Sequence, residues 1–127
     1  MPVKVFHRDR PGLLMPMIAR DARLVIWPGA GGWSANMNYV DMQPGEQNVP
    51  HVHPESDDTL FVLDGRGTVA DLTNGFELEF EAGQALHVPA GLQHQVRADR
   101  GSRIESVGGP APADLAILRR SGALTDP

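Results

Sequence analysis

Two histidines stand two residues apart in the run Pro50-His51-Val52-His53-Pro54, and a third, His94, follows the turn Pro89-Ala90-Gly91. On extended backbone, positions i and i+2 point to the same side, so His51 and His53 face one point in space. A helix would separate them. Three neutral imidazoles converging with a carboxylate from hairpin edges make a divalent-metal site of mixed nitrogen and oxygen character. The acidic loop Glu55-Ser56-Asp57-Asp58 supplies candidates for the carboxylate.

Something must carry these side chains, and the chain between and around them reads as short strands. Thr59–Leu63 is closed by Asp64-Gly65, Thr68–Leu72 is followed by the hairpin turn Thr73-Asn74-Gly75, and Phe76–Phe80 alternates apolar and acidic residues. Asn-Gly accepts the positive φ angles that tight hairpins need. Alternation predicts one buried and one wet face on Phe76–Phe80. Further strands are predicted over Gln84–Val88, His94–Ala98 and Ile104–Val107, and earlier over Val3–His7, Ala22–Trp27 and Asn36–Met42. Pro28–Gly32 reads as a turn, because a phosphate loop would end in Lys-Ser/Thr and open a helix. The one helix predicted is Pro112–Arg120, with Asp114 in its first turn, Arg119 and Arg120 near its end, and Gly122 as a stop. Strands at this spacing indicate an all-β sandwich or barrel.

With 127 residues, the chain suits one domain: N-terminal strands over 1–33, a barrel core over 34–108, and a C-terminal helix and tail over 109–127. A net charge of −5 with eleven scattered Lys and Arg argues against a nucleic-acid partner. No apolar run approaches the ~20 residues that span a bilayer. The absence of cysteine removes thiolate ligands and nucleophiles and suits a reducing, cytoplasmic setting.

At this point two longer patterns emerge. Gly45-x5-His51-x-His53-x4-Asp58-x6-Gly65 resembles the first motif of the cupin superfamily, with aspartate where that motif usually has glutamate. Gly83-x5-Pro89-x-Gly91-x2-His94-x3-Ala98 resembles the second, with alanine at its final asparagine position. The resemblance implies an all-β fold, a double-stranded β-helix of the jelly-roll type with a short C-terminal helix. It implies metal ligation by His51, His53, His94 and Asp58, below a pocket. The ion would be a divalent transition metal: iron, manganese, nickel, copper or zinc. Aspartate is about 1.5 Å shorter in reach than glutamate, so Asp58 ligates directly, acts through water, or leaves a three-histidine site.

The remaining candidates have plainer readings. Asp57 should point away from the Asp58 face, His87 reads as surface or structural, and Trp27 and Trp33 as core or interface residues. If Asp58 faces inward, so do Leu60 and Val62; Val96 and Ala98 share the face of His94; Asn36, Asn38, Val40 and Met42 are inward candidates on their strand. The inner wall is therefore mainly apolar, which favours a small, partly apolar substrate unless Arg97 or Arg103 turns inward. No serine, lysine or cysteine nucleophile is placed beside the ligands, leaving Asp58 or a hydroxide at the metal as base. The expected function is metal-dependent chemistry on a small carbonyl- or enol-bearing metabolite, with a dioxygenase favoured slightly over an isomerase, cyclase or lyase. A non-catalytic small-molecule-binding barrel is the other class. The short N-terminal edge strands and the Met37/Tyr39 face predict a homodimer.

Overall fold

The computed structural model describes residues 2–125. Its strands are β1 (Leu13–Leu14), β2 (Asp21–Ile26), β3 (Met37–Met42), β4 (Asp57–Asp64), β5 (Arg66–Asp71), β6 (Phe76–Glu81), β7 (Ala85–Val88), β8 (His94–Ala98) and β9 (Ile104–Ala111), followed by α1 (Leu115–Arg120). They form a six-stranded sheet in the order β1-β2-β3-β9-β4-β7 and a three-stranded sheet in the order β6-β5-β8. The strand pairs are antiparallel throughout. Two sheets facing each other give the barrel expected from the alternating runs. Among the described residues no helix is long and apolar enough to cross a membrane.

Inner-face residues of both sheets meet in a core of Met42, Val62, Phe80, Val96, Ala98 and Ile104. A second cluster joins Met15, Ile18, Ala19, Ala22 and Leu24 to Ile117 and Leu118 of α1. The N-terminal strands and the C-terminal helix, distant in sequence, thus share one core at the end of the barrel.

Several local expectations need correction. Val3–His7 forms no strand, and Val3 and Val5 are each 94% exposed. Without an apolar partner surface, alternation alone does not hold a segment in a sheet. His51 and His53 lie on extended chain outside any named strand; only a single bridge, His51 to His94, pairs this stretch. The flanking Pro50 and Pro54 have no N–H to give to a ladder. On β6 only Phe80 is buried, while Phe76 and Leu78 are exposed, because β6 is an edge strand that nothing covers there. Asn36 precedes β3 rather than joining it. The last strand runs four residues past the expected Val107, to Ala111, and the helix starts at Leu115.

Tyr39 also departs from expectation. Its outward face is not open for a partner: Arg8 of the N-terminal arm and Arg23 of β2 each lie 5.0 Å from the ring centroid. Arg8 further donates to Tyr39 Oη at 2.9 Å, and Arg23 to Asp9 at 3.2 Å. Arg103 turns to Asp41 and Glu105 on this same outer side, and Arg97 to Glu77, so neither enters the barrel.

Candidate metal centre

His51, His53, Asp58 and His94 come together as one buried cluster whose potential ligand atoms all lie within 4.8 Å of one another. Donors sharing one ion at ~2.0–2.2 Å each are separated by no more than ~4.4 Å, so the observed spacing is close to that of a ligand set. Asp58 enters from the start of β4, where pairing with Val88 on one side and Pro110 on the other points its side chain inward with Leu60 and Val62. Its carboxylate lies 3.3 Å from His53 Nε2 and 3.7 Å from His94 Nε2, so the shorter acid still reaches the histidines. The His51–His94 bridge holds these two rings 4.3 Å apart between centroids.

Proton placement in the cluster can be deduced from the partners. His51 Nδ1 faces the Val49 carbonyl at 2.6 Å, His94 Nδ1 the Leu92 carbonyl at 3.2 Å, and His53 Nδ1 a carboxylate oxygen of Asp114 at 2.7 Å. All three partners only accept, so each Nδ1 carries a proton and donates it. Nε2 is then the nitrogen left to ligate, which is the arrangement metal-binding histidines need. His53 Nε2 is buried without a hydrogen-bond partner of acceptable geometry. These residues could therefore hold a metal ion.

Electrostatics separate the histidines. Burial, reinforced by the neighbouring His94, pushes His51 down to about 4. Burial also opposes charge on His53, but the carboxylates of Asp114 and Asp58 outweigh it and raise this group to about 9. Asp58, despite its burial, is held below the ordinary carboxylate range by the imidazoles of His53 and His94.

Above the cluster is a narrow cavity of about 50 Å³. Ile18, Val40, Met42, Leu60, Val62, Phe80, Val96 and Ile104 make its wall apolar, as the inward faces predicted. Among the described residues no Lys or Arg lines it; its polar side chains beyond the cluster are those of Asn38, Asn48 and Ser106. Asn48 Oδ1 is taken by the Val96 amide at 2.8 Å, whereas Asn38 Oδ1 is buried and unpartnered. Asn36 does not line the cavity; its side chain accepts from the Asp114 amide.

Other candidates lie elsewhere. Asp57 points away and holds His87 at 3.1 Å and the Ala90 amide at 3.0 Å on the exposed side. Ser56 Oγ donates to the Pro112 carbonyl. Trp33 is exposed and Trp27 packs on the N-terminal cluster. Asp114 is the residue that sequence reasoning missed. Its place before the apolar run Leu115-Ala116-Ile117-Leu118 signals a helix cap, but nothing local reveals its contact with His53.

The Cupin domain family profile matches residues 38–105, just over half of the chain. Oxalate oxidase GF-3.8 of Triticum aestivum is 34% identical over 80 residues, which cover 58% of this chain and 36% of that protein. The chain thus spans about a third of the length of the curated relatives it matches. A solved oxalate oxidase structure superposes with a TM-score of 0.58 at 25% identity, covering 69% of this chain and 47% of the other. The polyketide cyclase RemF from Streptomyces resistomycificus superposes with a TM-score of 0.68 at 22% identity, covering 87% and 80%, a likeness of fold.

Proposed function

Since the chain belongs to the cupin family, we propose that it is a metal-dependent enzyme that oxidises a small, partly apolar carbonyl- or enol-bearing metabolite with dioxygen, with His51, His53, His94 and Asp58 as ligands. The observation that carries this reading is the set of three imidazoles with Nδ1 committed as donor and Nε2 turned, together with Asp58, to one point beside a narrow apolar cavity. A bound divalent transition metal would act as a Lewis acid and, if redox-active, as the centre for oxygen chemistry. The apolar wall lowers the local dielectric and so strengthens polar interactions along it. Asn38, a cavity-lining residue whose buried Oδ1 has no partner, is the polar side chain proposed to meet a substrate hydroxyl, and Asp58, held ionised by His53 and His94, would serve as the anionic ligand. The similarity to oxalate oxidases supports oxidation. The lining without Lys or Arg favours an uncharged or singly charged molecule over a dianion.

Turnover of a panel of small diketones, enols, catechols and oxalate by iron-, manganese-, nickel-, copper- and zinc-loaded protein, with and without oxygen, tests this. Oxygen-dependent turnover with a redox-active ion is the expected result. Turnover indifferent to oxygen would instead place the protein with metal-dependent isomerases, cyclases or lyases, and tight binding without turnover with non-catalytic binding barrels.

A homodimer is the assembly proposed for this unit. Phe61 and Leu63, two residues apart on the outer face of β4, are 45% and 51% exposed. Large apolar side chains clustered on a sheet face mark an association surface. Sedimentation at micromolar concentration should give a dimer mass, with Phe61→Glu shifting it to monomer; a wild-type monomer would refute it.

A further inference from the structure

His51 and His94 receive their Nδ1 acceptors locally, each from the carbonyl two residues earlier, Val49 and Leu92. His53 does not follow suit: the carbonyl two residues before it, that of His51, accepts the His94 amide at 3.1 Å, and His53 Nδ1 turns to a side chain. The acceptor comes instead from Asp114, 61 residues further along the chain. We infer that Asp114 is a positioning residue for His53, fixing the tautomer and ring plane of a metal ligand from the N-cap of the C-terminal helix; this rests on the reading of His53 as a ligand.

The geometry of Asp114 suits that role from three sides. Its Oδ2 accepts from His53 Nδ1–H at 2.7 Å, its Oδ1 accepts from the Ala116 and Ile117 amides at 3.1 and 3.3 Å, and its own amide donates to Asn36 Oδ1 at 3.1 Å. At 4% exposure, with each oxygen committed to a different partner, the carboxylate has no freedom to turn. An ionised acceptor on Nδ1 keeps the proton there and makes Nε2 the more basic lone pair. Because Ile117 and Leu118 anchor the helix in the N-terminal cluster, the seating of α1 sets where that acceptor stands.

Two substitutions at this position separate positioning from capping. Asp114→Asn has one oxygen where two are used: either it caps α1 and offers an amide N–H to His53, driving the ring proton to Nε2, or it serves His53 and loses the cap. Asp114→Ser keeps a good N-cap but is too short to reach the ring. In both, the dissociation constant for Zn(II), measured by chelator competition, should rise roughly 10- to 100-fold, and the visible absorption bands of the Co(II)-loaded protein should change position and intensity. Ser121→Ala, which removes the Ser121 Oγ contact to the Leu118 carbonyl at the far end of α1 without touching Asp114 or His53, should leave the Zn(II) constant within about twofold. Wild-type affinity and an unchanged Co(II) spectrum in the Asp114 variants would overturn the inference, as would an equal loss in Ser121→Ala. A wild-type protein that takes up neither ion would overturn the reading of the site, and this inference with it.

Discussion

His53→Ala should lower Zn(II) or Co(II) affinity by more than about 100-fold, since removal of a ligand costs more than the 10- to 100-fold typical of its outer partners. His53 is the ring that contacts both buried carboxylates, Asp58 at 3.3 Å and Asp114 at 2.7 Å. Its loss also leaves those two acids facing a void, so the metal-free variant should melt earlier, by about 3 kcal/mol or more in stability. His53→Gln, which can still donate to Asp114, isolates the loss of ligation from the loss of packing. Protons compete with the ion for this nitrogen: with His53 raised to about 9, wild-type affinity should climb between pH 6 and pH 9. The metal-free protein has the opposite dependence, because stability from a raised histidine is fully present below its unfolded value near 6.5 and is lost as pH passes about 9. Chelator competition and thermal melts across that range measure both trends. Full metal occupancy in His53→Ala would rule this ligand set out.

How much of this arrangement was legible depends on whether its cause is local. The spacing of His51 and His53 dictates a shared face on any extended chain, so it survived the finding that they lie outside a regular strand. The β4 alternation placed Asp58, Leu60 and Val62 inward correctly for the same reason. Asp114 was illegible as a partner of His53 because the contact requires the helix to fold back over the end of the barrel, which is decided by Ile117 and Leu118 meeting Met15 and Leu24. Tyr39 illustrates the same limit from the other side. Its outward position was readable, but the arm carrying Arg8 that buries it was not. On β6 the period-two pattern was real, yet burial depends on a covering neighbour, and an edge strand lacks one.

The segment Gly108-Gly109-Pro110 carries the largest stability effect we expect outside the metal site. In sequence it reads as a break, and the strand was expected to end at Val107. In the fold it continues β9, because Gly108 pairs with Asn38 on one side and with Leu60 on the other. That position is usable only by glycine. Gly108 has φ +139, a conformation L side chains rarely adopt, and an added Cβ would overlap the Thr59 carbonyl and fall 2.6 Å from the Leu60 Cα, both backbone atoms that cannot step aside. Gly108→Ala should therefore force β4 and β9 apart and cost on the order of 4 kcal/mol or more, combining backbone strain with lost pairing. Since Asp58 and Leu60 lie on β4 against this segment, the same separation would displace the carboxylate from the histidines. Equilibrium urea unfolding measures the first effect and Zn(II) affinity at low denaturant the second. A Gly108→Ala protein with wild-type stability would show that the β4–β9 approach is not fixed by the missing side chain, and the strand pairing that positions Asp58 would need another cause.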